Sequence, residues 1–280
     1  MRKFLRIIKK KFNEEVKNTF ILIYRNLATR QNIALTDGEI RFSKQLAQLG
    51  LNVIDAGART DIALAQYFQS NKKSQIYLIE PNPKFTKILN KKIKKFNLLN
   101  TRVLQIALGS EEGEVIYFKN SQSLLPRRVY GQKHDRKRLR NLIKVTTLDK
   151  LVNEEIIEYP LFLKTDLEMY DFLALSGGMK AINELSLVVQ FELGLETESL
   201  DKRRKILDFL SLFTEDWNFF VLHDSNNSYL MNINSQLFPL VPLSLFNLEE
   251  IEDKIGSGLT FNLVAIRDSL EHKLFDLILQ

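Results

Sequence analysis

The sequence predicts a doubly wound α/β fold, a mostly parallel sheet with helices on both faces, and three observations carry that expectation. From Leu51 onward, short apolar runs alternate with helical patterns. Two of the runs end in an acid. Asn52-Val-Ile-Asp-Ala-Gly-Ala-Arg-Thr-Asp61 carries Asp55, and Ile76-Tyr-Leu-Ile-Glu-Pro-Asn-Pro83 carries Glu80. Their separation is about one strand–helix–strand unit, which puts both carboxylates at the carboxyl ends of neighbouring parallel strands. Ala56, Gly57 and Ala58 are small enough to let the backbone come close to a ligand. An acid at the second strand end is the usual partner of a ribose diol, so this edge is expected to hold an adenosine-containing cofactor.

The elements follow in order. Residues 2–31 read as helix, because Phe4, Leu5, Ile8, Phe12, Val16, Phe20 and Ile23 recur at three- and four-residue steps. Lysines and arginines fill much of the other face. That stripe either packs on the domain or on a second subunit, giving a homodimer, or rests on an anionic membrane. Residues 1–36 are set apart as a basic amphipathic extension and 37–280 as the main domain. Asp37 is expected to cap a helix running to Leu49, and Gly50 to stop it. Leu51–Ala56 is the first strand and 60–70 a helix. Gln75–Ile79 is the second strand, and Lys84–Phe96 a lysine-faced helix. Thr101–Ala107 is the third strand, and Glu114–Lys119 an added one after the turn at Gly109–Gly113. Leu161–Thr165 is the fourth strand, 171–183 is helical, and Leu187–Glu192 is the fifth strand. Asp201–Phe213 is a helix, and Phe219–His223 and Leu259–Ile266 are the final strands. An antiparallel last strand would complete a seven-stranded sheet.

Composition narrows the function classes. A 45% hydrophobic content is enough for a full core in 280 residues. The absence of cysteine excludes disulfides, thiolate metal sites and cysteine nucleophiles, and fits a reducing cytoplasm. His134, His223 and His272 lack ligand spacing, so no metal site is expected. The formal charge of +6 is concentrated near the amino terminus and over residues 127–144. Aromatic residues sit in apolar runs rather than between the basic ones, so nucleic acid is not the expected partner. No segment reaches the ~18–20 unbroken apolar residues of a membrane span. The start lacks a long apolar core and a small-residue cleavage site, which makes it a poor secretory signal. A cytoplasmic protein is expected, with membrane association through residues 1–31 left open.

With the strand ends placed, the chain resembles class I S-adenosylmethionine-dependent methyltransferases, and more narrowly the FkbM family. The resemblance runs from about Asp37 to Ile266. Its pieces come in the family's order: Val53-Ile-Asp-Ala-Gly-Ala58, Ile79-Glu-Pro-Asn-Pro83, Ala107-Leu-Gly109, Val145-Thr-Thr-Leu-Asp149, Phe162-Leu-Lys-Thr-Asp-Leu-Glu168, and a strand ending in Glu192. It implies a Rossmann-like seven-stranded sheet and S-adenosylmethionine as cofactor. It also implies that Asp55, Gly57 and Ala58 form the first cofactor loop, that Glu80 accepts from the ribose hydroxyls, and that Asn82 lies beside the adenosine. Ala107 and Leu108 would border the adenine, and Lys164, Asp166 and Glu168 would line the pocket where methyl group and acceptor meet. Two loops depart from the family pattern. The first loop has Arg59 for Asn and Asp61 for Gly, and the loop after the fourth strand has Met169 for Gly. Asp61 either accepts from the cofactor's amino group or obstructs the site.

Methyl transfer to a hydroxyl needs alignment and removal of one proton. Asp166 or Glu168 is the expected base, unless these acids only orient the cofactor or cap the next helix. Glu192 reads as a pocket wall, and His223 as an alternative base or a structural histidine. The run from Pro126 to Lys144, within an insertion of about 120–144, includes Arg136 and Arg138. It reads either as a clamp for an anionic acceptor, such as a sugar phosphate, or as solvated surface. Two functions stay open: an O-methyltransferase acting on a saccharide or other small metabolite, and an inactive relative that binds or scaffolds. A nicotinamide-dependent oxidoreductase is disfavoured, because Gly57 is the first loop's only glycine.

Overall fold

The structure is a computed structural model that describes residues 38–71, 73–117, 141–154, 157, 161–167, 170–193, 206–222, 240–249, 251 and 261–279. The stripe of residues 2–31, most of the basic run, Glu168, Met169 and His223 lie outside the described residues.

The described strands are β1 (Asn52–Ala56), β2 (Ile76–Ile79), β3 (Thr101–Leu104), β4 (Ala107–Leu108), β5 (Gly113–Tyr117) and β6 (Asn141–Thr146). They continue with β7 (Leu161–Thr165), β8 (Ser186–Leu193), β9 (Trp217–Leu222), β10 (Leu240–Pro242) and β11 (Phe261–Arg267). The α-helices are α1 (Gly38–Ala47), α2 (Ala63–Phe68), α3 (Pro83–Phe96), α4 (Leu148–Asn153), α5 (Asp171–Ser176), α6 (Ile206–Leu210) and α7 (Asp268–Leu279).

The main sheet has the order β10-β9-β11-β8-β7-β1-β2-β3. β3, β2, β1, β7 and β8 run parallel, and β11 is antiparallel to both of its neighbours. The seven expected strands are all in it, with β10 added at the edge. Central β1 is buried along its whole length, because a parallel strand covered on both faces must be apolar almost throughout. Alternate residues feed two cores. Ile54, Leu163 and Val189 face one, and Val53, Phe162 and Val188 face the other. In the second core the Phe162 ring meets Phe42 edge-on at 6.3 Å and stacks on Phe68 at 5.9 Å. These contacts fix α1 and α2 against β7. Gly50, at φ 70, ends the turn after α1 as expected.

Several elements differ from the sequence reading. The expected third strand is two: β3 stays in the main sheet, while Ala107 and Leu108 pair with β6 in a second, three-stranded sheet. The chain leaves the main sheet around Gln105, whose side-chain oxygen accepts from the Thr86 hydroxyl at 3.1 Å. β6 begins at Asn141, inside the stretch assigned to the basic insertion, with Asn141 opposite Tyr117. α4 was not foreseen; Thr147 caps it by accepting from the Lys150 N–H. The expected helix 171–183 breaks after Ser176. A Cβ on Gly177 would overlap the Gly109 carbonyl oxygen, so glycine there lets the helix end press against the loop after β4. The chain resumes as a π-helical turn over Ala181–Leu185.

Candidate active site

The candidate site lies at the carboxyl ends of β1, β2, β7 and β8, as the strand-end acids predicted. Gly57 turns the chain out of β1 at φ 92, and a Cβ there would overlap the Asp166 carbonyl oxygen. Glycine is required for this crossing of the loops after β1 and β7. The Gly57 N–H donates to Ile79 O at 2.9 Å and the Asp166 N–H to Ala56 O at 2.9 Å, so the three strand ends are tied together. Ala58 is buried in the same turn.

Glu80 is 1% exposed. Its Oε1 accepts from the Asn82 N–H at 2.7 Å and its Oε2 from the Arg59 N–H at 2.9 Å. Arg59 presents that N–H from a left-handed conformation, φ 49. Burial pushes the Glu80 carboxyl up to about 7, against those two hydrogen bonds. Each oxygen keeps acceptor capacity for a further donor, as two ribose hydroxyls would require.

Asn82 is buried, and its side-chain oxygen accepts from the Lys84 N–H at 2.9 Å to cap α3. Its backbone holds Glu80. Asp61 is exposed and accepts from the Ala63 N–H at 2.8 Å, so its carboxylate is turned to the start of α2. Ala107 is half-buried at the start of β4.

A second group occupies a row across the sheet. Asp55 lies opposite Lys164, and Lys164 opposite Gln190. Glu39 of α1 closes the row. Its Oε1 is 2.9 Å from the Lys164 Nζ and accepts from the Gln190 Nε2 at 3.0 Å. Asp166, an exposed residue, puts Oδ2 3.8 Å from the same ammonium. Burial pushes Asp55 up to about 6, opposed by Lys164 and reinforced by Asp166, Asp61 and Glu39. Burial works against the charge of Lys164, but Asp55, Glu39 and Asp166 together raise its pKa above the ordinary lysine value. The ammonium therefore stays charged at neutral pH and serves as an anchor for carboxylates; it is not a proton acceptor.

Past β7, Asp171 at the start of α5 is 1% exposed and accepts from the Leu167 N–H at 3.2 Å. Burial pushes it up to about 7, opposed by the nearby Thr165 hydroxyl and the Leu167 N–H and reinforced by Asp166 and Glu192. Glu192 sits on β8 opposite Asn262 of β11 and is half-buried. The structure thus brings together Asp55, Gly57, Ala58, Glu80, Asn82, Lys164, Asp166 and Glu192. Arg136, Arg138 and Glu168 lie outside the described residues. Sequence reasoning missed Glu39 and Gln190, and no local pattern marks either. Glu39 belongs to an ordinary amphipathic helix, and only its packing brings it to β7. Gln190 stood out in one respect alone, as a polar residue in the otherwise apolar run of β8.

A family model described as "Methyltransferase FkbM domain" matches residues 55–221. Among solved structures, a methyltransferase FkbM from Methylobacillus flagellatus KT is 19% identical with a TM-score of 0.43. The match covers 62% of this chain and 40% of that one, so the chain spans well under two thirds of that protein's length. An rRNA methylase from Streptococcus thermophilus is 11% identical, with a TM-score of 0.41 over 80% of this chain and 93% of that one. A precorrin-6y C5,15-methyltransferase from Geobacter metallireducens GS-15 is 10% identical, with a TM-score of 0.38 over 80% and 87%. None of these three likenesses bears on chemistry or acceptor. No curated protein matches the chain.

Proposed function

The chain belongs to the FkbM methyltransferase family, and from that premise we propose that it is an S-adenosylmethionine-dependent O-methyltransferase. Its acceptor would be a hydroxyl on a saccharide or another small metabolite. The observation that carries this reading is the Glu80 carboxyl, buried at the end of β2 with one backbone amide on each oxygen and lone-pair capacity for a further donor on each. A buried carboxyl raised to about 7 gains most from added hydroxyl donors, which favour its ionised form.

Glu80 would hold the ribose, the Gly57–Ala58 turn would let the backbone approach the cofactor, and Asp55 would accept from its amino group. When bound, S-adenosylmethionine supplies an electrophilic methyl group. The chain's own contribution is to align the acceptor and take its proton. Asp166 is suited to that second task, being an exposed carboxylate beside an ammonium that holds it in place. Glu168 remains the alternative base. Glu192 would wall the acceptor pocket, and Arg136 and Arg138 would grip an anionic acceptor. Cytoplasmic localisation, with or without membrane contact through residues 1–31, is part of the same reading.

Calorimetric titration of the full chain with S-adenosylmethionine and S-adenosylhomocysteine tests it. Micromolar binding is expected in the parent, weakened about 10–100-fold in Asp55→Ala and Glu80→Ala, the range for losing a hydrogen bond to a charged group. Parent-like binding in both variants would refute the site assignment. No binding by a folded parent would favour the inactive relative, with Asp61 in the glycine position as the reason.

A further inference from the structure

α3 carries a surface that the candidate site does not use. Its sequence, PKFTKILNKKIKKF, holds six lysines and no acid. Lys84, Lys87, Lys91, Lys94 and Lys95 form one exposed stripe along the helix, and Thr86 and Leu89 on the opposite side are buried. Lys92 points elsewhere, its ammonium donating to the Thr60 carbonyl. None of the five stripe lysines makes an ion pair among the described residues. Like charges at three- and four-residue steps repel along a helix, so the stripe works against the helix that displays it. Beyond it, Phe96 is 45% and Leu99 80% exposed. The Lys95 ammonium lies 5.3 Å over the Phe96 ring. Arg102, on edge strand β3, is exposed as well.

A stripe of five cations is complementary to dense negative charge, and two exposed apolar side chains at its carboxyl end are complementary to an apolar phase just behind that charge. An anionic bilayer presents both in one plane. Single-stranded nucleic acid would match the charge and could stack on Phe96, but would leave Leu99 facing water. We propose that the outer face of α3, with Phe96 and Leu99, docks on an anionic lipid bilayer. The helix starts beside Glu80 and runs about 20 Å to Phe96 at 1.5 Å per residue.

Cosedimentation of the full chain with phosphatidylcholine vesicles, with and without phosphatidylglycerol, tests this. Binding is expected only with phosphatidylglycerol and is expected to weaken as salt is added. The triple variant Lys87→Glu/Lys91→Glu/Lys94→Glu should bind at least about tenfold more weakly. Phe96→Ser/Leu99→Ser should lower binding about fivefold. Both variants should keep the parent's melting temperature and cofactor titration, since none of these residues lies in the core or the site. Equal binding to neutral vesicles, or no binding by the parent, would overturn the proposal. So would binding that survives both α3 variants but is lost in Lys9→Ser/Lys10→Ser/Lys11→Ser, which would assign the contact to the amino-terminal stretch. A parent that ignores vesicles but binds an RNA oligonucleotide through the same lysines would make the face a nucleic-acid surface.

Discussion

Asp55 and Glu80 end neighbouring parallel strands, and both are buried carboxyls pushed upward by desolvation, yet they are held by different means. Asp55 belongs to a row of charges, in which one ammonium, Lys164, serves Asp55, Glu39 and Asp166 together. Glu80 is held chiefly by two backbone amides from Asn82 and Arg59, with the Arg59 charge contributing least. A charge held by a shared counter-charge is rigidly coupled to its neighbours. A charge held by dipoles keeps capacity for a ligand. The first arrangement fixes the Asp55 carboxylate through α1 and β7, and the second leaves each Glu80 oxygen able to accept a further donor.

Replacing the shared ammonium should give the largest effect. Lys164→Met leaves three acids without their common partner and is expected to cost about 3–5 kcal/mol at pH 8, the range for breaking a buried pair. Part of that should return at pH 5, where Asp55 can take up a proton. Chemical denaturation at the two pH values measures both, and a loss under about 1 kcal/mol would remove the distinction between the two acids. Glu80→Gln comes next. It keeps one amide acceptor and loses the other, so its cost should stay within about 1.5 kcal/mol, while cofactor affinity falls as described for Glu80→Ala. A destabilisation matching that of Lys164→Met would show that Glu80 also serves as a structural lock.

The pH dependence offers a further test. Asp55, Glu80 and Asp171 have folded-state pKa values raised to about 6, 7 and 7 from 3.8, 4.5 and 3.8. Between those limits the folded state binds more protons than the unfolded one. Their stabilising contribution is complete below the unfolded values and is lost as pH rises through 6 to 7. Asp171→Asn should flatten that decline, measured as denaturation midpoints across the pH range. An unchanged slope would mean that Asp171 does not titrate there.

The sheet was legible because each parallel strand is a short apolar run ended by a small or acidic residue, and these signals are local. Asp55, Gly57 and Glu80 were readable for the same reason. The charge row was not, since Glu39, Lys164 and Gln190 meet only through sheet register and the packing of α1 on Phe162. The second sheet was missed because β4 is two residues long and β6 lies in a stretch whose basic charge masks its alternation. The role of Asn82 at the start of α3 follows from ordinary capping preferences.

β11 sits between β8 and β9 although it comes last among the strands. It ends in Arg267, which ion-pairs with Asp216, lies 4.9 Å over the Trp217 ring and donates to Ser186 O at 2.8 Å. On a translating ribosome, β9 and β10 thus have no route into the main sheet until residues 261–267 have left the exit tunnel. Until then β8 and β9 each show an open edge, the part of a nascent chain most prone to mispairing with another copy. The position of one strand in the sheet makes completion of this fold wait for β11 and exposes the unfinished chain to chaperones.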